Sequence, residues 1–361
     1  MLNSTSITEL VKTIGRSLGF QDIGIASINL EKAQQHLQQW LDEGRHGEMS
    51  YMANHGSKRW RPEELVEQTR SVISVSINYW SDRGFDPWQL LEDNRRGYIS
   101  RYALGRDYHK LMRKRLQKMA QLIEQEIGSF GYRVFVDSAP VLEKPLATQA
   151  GIGWIGKHTN LVNQHSGSWF FLGEIYTDLP VESDVESVDH CGTCSRCIDI
   201  CPTAAITAPY RLDARLCISY LTIELKGSIP LELRPLIGNR IFGCDDCQLI
   251  CPWNRFAQAS SEPDFSPRHG LEQPDLLELF SWSETEFLSK TEGMAIRRIG
   301  HEQWLRNIAI ALGNSSAAGP LKEKMIAALK LRLPTVISSP MVTEHIEWAL
   351  AQLDSNPSAA H

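Results

Sequence analysis

The chain has 361 residues, with 37 Lys and Arg against 43 Asp and Glu and a formal charge of −6 at pH 7. With 42% hydrophobic and 22% charged residues it is neither a disordered chain, a collagen nor a short disulfide scaffold, and its length suits two or three domains. The acidic balance excludes an indiscriminate nucleic-acid coat while allowing a local basic face, and apolar runs such as Trp169–Leu172 fall far short of the roughly 18 residues of a membrane span.

Near the N-terminus Leu10, Val11, Ile14 and Leu18 mark an amphipathic helix. The basic start and apolar block of a secretory signal are missing, so a soluble cytoplasmic protein is expected. Residues 1–185 read as mixed α and β. Ser71–Ile77 and Tyr132–Val136 have strand character, and Tyr108–Ile127 is a long helix with Leu111, Leu116, Met119, Leu122 and Ile123 on its apolar face. The second strand delivers Asp137 to a turn at Ser138, Ala139 and Pro140. A carboxyl at a strand end under an apolar rim can act as a proton donor; the competing reading is an Asx-turn or helix-cap aspartate.

Gly151–Asn160 reads GIGWIGKHTN. Its glycines permit close approach of the backbone to a large flat ligand. GIGWIG also fits the dinucleotide pattern G-x-G-x-x-G letter for letter, with Glu174 near the spacing of the acidic partner. No clear βαβ unit surrounds it, so the nicotinamide reading rests on the glycines alone.

After a short acidic link, Asp184–Asp189, residues 186–255 carry all eight cysteines. Cys191, Cys194, Cys197 and Cys201 follow the Cys-x2-Cys-x2-Cys-x3-Cys-Pro run of bacterial ferredoxins. Three closely spaced thiolates wrap one face of an iron–sulfur cube, and the fourth, starting a helix with Pro202, points to a neighbouring cube. Cys244, Cys247 and Cys251-Pro252 repeat the pattern one cysteine short, and Cys217 is the residue left to complete it. Crossing then gives two 4Fe–4S clusters: Cys191, Cys194, Cys197 and Cys251 hold one, and Cys201, Cys217, Cys244 and Cys247 the other. Two zinc sites would also use eight thiolates but need neither a three-cysteine loop nor a crossed Cys-Pro. Disulfides do not suit an intracellular chain.

Residues 256–361 begin with a Ser- and Pro-rich stretch to about 275 that reads as a linker. Helices follow over Glu302–Leu312, from near Pro320 to about Leu333, and from near Pro340 to about Leu353. Leu305, Ile308, Ala309 and Leu312 recur as Ile346, Ala349, Leu350 and Leu353, a spacing in the roughly 40–47-residue range of HEAT repeats; a plain helical bundle fits equally. Basic residues cluster at Arg95, Arg96, Arg101 and Arg106, on the helix from Lys110 to Lys118, and at Arg297, Arg298 and Arg306. The helix group reads as a solvated face, whereas paired arginines near His301 and Trp304 suit phosphate and base contacts.

The ordered set GEMSYM (Gly47–Met52) with Arg59, SRYALGRDYH (Ser100–His109), VDSAPVLEK (Val136–Lys144), GWIGKHTN (Gly153–Asn160), the two cysteine groups, CISYLTIE (Cys217–Glu224) and WLRNIAIALGN (Trp304–Asn314) resembles the epoxyqueuosine reductases, cobalamin-dependent tRNA-modification enzymes. The resemblance spans nearly the whole chain. It implies an α/β (α+β) cobalamin-binding domain like that of reductive dehalogenases, a two-cluster ferredoxin-like module and an α-helical HEAT-like tRNA-binding region. It further implies reduction of the epoxide of epoxyqueuosine to the alkene of queuosine at the wobble position of tRNAs with a GUN anticodon. Electrons would reach cobalamin through the two clusters, with Asp137 as proton donor.

The Asp-x-His-x-x-Gly signature of a histidine ligand to cobalt is absent, since Asp107-Tyr108-His109 is followed by Met112 where the glycine would stand. Cobalamin without a protein histidine ligand is therefore expected. Its candidate contacts are Arg59, Ser100, Arg101, Tyr102, Asp137, Lys157, His158, Asn160 and Ser219. Tyr220–Lys226, with Thr222 and Lys226, is the candidate entry for the flipped nucleotide, and Arg297, Arg298, Arg306 and Asn307 for the stem-loop phosphates. An external low-potential electron donor, a monomer and no membrane are expected. A cobalamin and iron–sulfur reductase of a small molecule is the alternative, and a bare electron carrier would leave most of the chain unexplained.

Overall fold

The computed structural model describes residues 4–81 and 85–355. Its N-terminal part is built on a four-stranded antiparallel sheet in the order β1 (Asp22–Ala26), β2 (Ser71–Asn78), β7 (Phe170–Thr177), β4 (Tyr132–Phe135). The two inner strands are buried along their whole length. Alternation sends Ile73, Val75 and Ile175 to one face, against α1 (Ser4–Ser17) and α2 (Tyr108–Ile127). Val72, Leu172 and Tyr176 go to the other face, with Leu146 and Ala147 of α3 (Glu143–Gln149). The helix over Tyr108–Ile127 is found with the expected bounds: Asp107 caps its first turn, and Gly128, with φ 91°, ends it.

GIGWIG does not open a helix. It leads into a hairpin of β5 (Trp154–Ile155) and β6 (Leu161–Val162). A side chain at Gly153 would collide with the Val162 carbonyl oxygen across that hairpin. The glycines therefore serve strand packing, and the dinucleotide reading lacks its βαβ unit.

The second core crosses the expected boundaries at 185 and 255. The short strand β3 (Tyr98–Ile99) pairs in parallel with β8 (Arg240–Phe242). Ile99, Ala103, Leu104, Ile241 and Phe242 share one hydrophobic cluster with the C-terminal helices α5 (Gly300–Gly313), α6 (Gly319–Arg332) and α7 (Pro340–Ser355). The stretch expected as a linker is also packed down. Phe265 is buried against the sheet-side core, the Arg106 amide donates to the Asp264 carbonyl at 2.7 Å, and Arg115 bonds Glu262. Composition alone reads such a segment as loose because its anchors are a few single residues. No described helix is long and apolar enough to cross a membrane.

Candidate active site and cluster ligands

The eight thiols sort into two sets by which sulfurs act on one another. Burial pushes Cys197 up to about 11, and Cys251, Cys191 and Cys194 beside it add to the shift. Burial likewise raises Cys251, with Cys191 and Cys194 as its sulfur neighbours. In the other set burial raises Cys217, Cys244 and Cys247; Cys217 feels Cys201, Cys244 feels Cys247, and Cys247 feels Cys217 and Cys201. The structure thus brings Cys197 and Cys251 together with Cys191 and Cys194, and Cys247 together with Cys201, Cys217 and Cys244. Among the described residues no three His, Cys, Asp or Glu side chains converge to grip a single ion. Lys157 fastens the first loop, its ammonium donating to the carbonyls of Gly192 at 2.6 Å and Cys194 at 2.9 Å.

A cavity of about 770 Å³ lies between the sheet domain and the second quartet. Cys244 lines it, as does Ser219 on α4 (Ile218–Ile223), whereas none of the first quartet does. The loop of that first quartet exposes Gly192, Thr193, Ser195 and Arg196. The second quartet is thus the inner site and the first the outer one. Asp245 ties the inner loop to the cavity wall: it accepts from the Tyr98 hydroxyl at 2.9 Å, the Ser100 hydroxyl at 2.5 Å and the Arg101 amide at 2.8 Å.

Opposite the thiols, Asp137 sits just beyond β4 with two partners. The Tyr108 hydroxyl donates to it, and His109 Nε2 lies 2.8 Å from its Oδ1. The other ring nitrogen of His109 is 2.5 Å from Asp107 Oδ1. Tyr108 is fixed between stacked rings, 3.7 Å from Phe171 and 4.3 Å from His109 by centroids. Burial opposes a charged imidazole, but the hydrogen bonds to Asp107 and Asp137 win and push His109 up to about 9 from its usual 6.5. This predicts a pH-dependent stability. A value raised on folding stabilises fully below about 6.5 and is lost as the pH climbs through about 9. The melting advantage of the wild type over His109→Gln should follow that course; a difference constant with pH would refute it.

Of the residues expected at a cofactor, Arg59, Ser100, Tyr102, Asp137, Asn160 and Ser219 line this cavity. Arg101, Lys157 and His158 do not. Arg101 is buried, with its guanidinium 4.0 Å above the Trp80 ring and bonded to the Ser81 carbonyl. Lys157 holds the outer loop. His158 is buried, pushed down to about 4 by desolvation and by Lys144, and its Nδ1 accepts from the Asn160 amide at 3.1 Å.

The expected RNA contacts divide in the same way. Arg297, Arg298 and Lys226 are exposed. Arg298 also lines the cavity mouth and pairs with Glu224 at 2.9 Å. Thr222, Arg306 and Asn307 are fully buried, which corrects the assignment of Thr222 to nucleotide entry and of Arg306 and Asn307 to phosphate binding. Arg306 donates to the carbonyls of Leu221, Leu225 and Gly227, each at 2.7 Å. Asn307 donates to those of Thr222 and Ile241. Helix α5 is buried on nearly every side, so these two side chains satisfy the end of α4 that frames the cavity. Sequence reasoning overlooked Tyr108, His109 and Glu143 on the wall. The signal for the first two was the cap at Asp107, which places them in the first turn of α2.

Residues 59–138 match the family model described as epoxyqueuosine reductase QueG, DUF1730. Residues 190–254 match a 4Fe-4S double cluster binding domain. Curated proteins named epoxyqueuosine reductase align over nearly the full chain. That of Xanthomonas campestris pv. campestris is 58% identical over 348 residues, covering 96% of each chain. That of Escherichia coli K12 is 53% identical over 352 residues, 97% of this chain and 90% of the other. Among solved structures, an epoxyqueuosine reductase with a tRNA-Tyr epoxyqueuosine-modified stem loop superposes with a TM-score of 0.83 at 25% identity, over 98% of this chain and 100% of that one. The Bacillus subtilis epoxyqueuosine reductase, described with its aspartate catalytic loop swung out of the active site, superposes at 0.86 and 27% identity, over 97% and 91%.

Proposed function

The chain belongs to the epoxyqueuosine reductase family and is an oxidoreductase of tRNA modification with a double 4Fe–4S cluster domain; from that premise we propose how its residues divide the work. The substrate is epoxyqueuosine at the wobble position of a GUN-anticodon stem-loop, and the product is queuosine. The cavity that has a cluster cysteine, Cys244, on one wall and Asp137 on another carries this reading. Electrons from an external donor enter at the exposed outer quartet and leave from the inner one.

Cobalamin suits the cavity between these walls. Its volume is within the range of ligand sites, and the buried Arg59 Nε on its wall has no hydrogen-bond partner. An orphaned donor of this kind fits a ligand whose rim carries amide oxygens. Arg59, Ser100, Tyr102, Asn160 and Ser219 would hold it, and when bound it supplies low-potential metal electrons for C–O cleavage. Both His109 nitrogens are taken by carboxylates, so His109 is not free as a metal ligand.

Asp137 gives a proton to the departing oxygen. Tyr108 orients its carboxyl, and His109 returns the proton to it. The Bacillus subtilis relative, with its aspartate catalytic loop, supports the assignment. The anticodon stem-loop lies across α4 and the C-terminal helices, which we read as HEAT-like, and the modified base is flipped into the cavity. Arg297, Arg298 and Lys226 meet its phosphates. The direct test is anaerobically reconstituted protein with epoxyqueuosine-tRNA, cobalamin and a low-potential reductant, read by nucleoside mass spectrometry. Failure to form queuosine would overturn the function, and turnover without cobalamin would overturn the cofactor.

The two kinds of arginine give opposite predictions. Arg297→Ala with Arg298→Ala raises the tRNA dissociation constant and flattens its log–log salt slope by about 0.7–0.9 for each phosphate no longer neutralised. Arg306→Ala leaves buried carbonyls unsatisfied at about 1–3 kcal/mol each, so it lowers the melting temperature without changing the salt slope. A flattened slope in Arg306→Ala, or an unchanged one in the double variant, would reverse the assignment.

A further inference from the structure

Reducing an epoxide to an alkene takes two electrons and two protons and releases one water. The first proton goes to the oxygen as the first C–O bond breaks, giving a hydroxyl. The second goes to that hydroxyl as the other C–O bond breaks, water leaves and the double bond forms. The reductant supplies the electrons through the clusters. The Asp137–His109 pair accounts for one proton, and a nucleotide filling the cavity mouth restricts solvent from bringing the next.

We propose that Glu143 and Glu174 form a buried proton store that delivers the second proton, from Glu174 to Glu143 and from Glu143 to Asp137. This rests on the reading of Asp137 as the acid. Glu174 stands mid-strand in β7, paired across the ladder with Ser74 and Phe135. It has no exposed surface, and neither carboxylate oxygen has a hydrogen-bond partner; nor has the Ser74 hydroxyl. A charge there would be buried and unpaired, so the carboxyl holds its proton.

Glu143 opens α3 and reaches the cavity beside Asp137. The next residue, Lys144, donates to the Thr159 carbonyl at 2.8 Å. Burial pushes Glu143 up to about 8, Asp137 adds to the shift, and Lys144 and His109 oppose it. Burial raises Glu174 well above the usual carboxyl range, with Glu143 and Asp137 as the charges that act on it. By alternation Glu174 shares with Leu172 and Tyr176 the sheet face that packs against α3; Glu143 opens that helix and lines the same cavity as Asp137, which pairs with His109. Around these groups stand Asp107 at the cap of α2 and Tyr108 in its first turn, Lys144 on α3, Tyr176 on β7, and Tyr51, His55, Arg59, Tyr102 and Arg298 on the cavity wall. A carboxyl buried only for packing would tolerate its isosteric amide without loss of turnover.

The test uses the full reconstituted chain with Glu143→Gln, Glu174→Gln and Glu143→Asp. Isotope-edited infrared spectra of protein with labelled glutamate, recorded without substrate, should show protonated carboxyl bands at neutral pH. One band disappears in Glu174→Gln, and another, titrating near pH 8, disappears in Glu143→Gln. Turnover in Glu143→Gln should fall about tenfold or more with a larger solvent deuterium isotope effect, and Glu143→Asp should restore part of it. Cluster content and tRNA affinity should not change. Wild-type turnover in Glu143→Gln, or no carboxyl band lost in it, overturns the store. Should Glu174→Gln not fold, the Glu143→Gln bands and rates decide alone. Normal turnover in Asp137→Asn would instead remove the acid on which the store depends.

Discussion

Replacing Asp137 by asparagine is expected to cut turnover by about 10²–10⁴-fold, the usual contribution of a general acid, while iron content, cobalamin affinity and tRNA affinity stay at wild-type values. The substitution keeps the size of the side chain and can still accept from the Tyr108 hydroxyl, so only the transferable proton is lost. Asp137 and His109 act as a unit. At neutral pH the imidazole carries the proton, since its value is raised to about 9, and Asp137 passes it to the oxygen as negative charge develops there. The rate should therefore fall on the alkaline side as that pair empties. His109→Gln should remove this limb and leave a slower rate that still needs Asp137. Single-turnover nucleoside analysis across pH checks both variants. Full turnover in Asp137→Asn would assign the proton elsewhere and return Asp137 to the Asx-turn reading of its local sequence.

How much of this is legible in the sequence depends on whether the signal is local. The helix Tyr108–Ile127 is legible to the residue because its cap, its apolar stripe and its terminal glycine all lie on it. The cluster quartets are legible because ferredoxin spacing carries a rule about which cube each cysteine reaches. Asp137 is legible as a carboxyl at a strand end, but its partners are not. Tyr108 lies 29 residues earlier, and only the return of the chain from α2 into β4 brings them together. Glu174 is visible as an acid in an apolar strand, with nothing local to show that it lacks a partner. Arg306 and Asn307 fail for a different reason. Residue type marks them as surface groups, while the unbroken run Ile308–Leu312 marks the helix as buried on all sides. In such a helix an arginine must find carbonyls, and the free ends of α4 provide them.

The crossing of the clusters makes the last prediction, and it concerns which cysteines share a fate. Cys201 belongs in sequence to the first run but in space to the inner quartet, and Cys251 the reverse. Either Cys201→Ala or Cys251→Ala should abolish turnover, because each breaks the only path from the exposed loop to the cavity, and each should lower iron from about eight to about four per chain. The pairing then follows from double variants. Two substitutions in one quartet remove one cluster, so Cys201→Ala with Cys247→Ala should cost no more iron than Cys201→Ala alone. Substitutions in different quartets are independent, so Cys201→Ala with Cys197→Ala should lose both clusters. A sequential arrangement, with Cys191, Cys194, Cys197 and Cys201 around one cube, predicts the opposite for each pair. The physical sense of crossing is that the short helix before each Cys-Pro, Arg196–Asp199 in the first run and Asp246–Leu249 in the second, carries a cysteine of one quartet and leads to the next cysteine, which belongs to the other, so that the two quartets are held side by side. Anaerobic iron and sulfide analysis of the four variants decides it. Full iron loss in Cys201→Ala with Cys247→Ala would overturn both the crossing and the assignment of Cys201 to the cluster that faces the cavity.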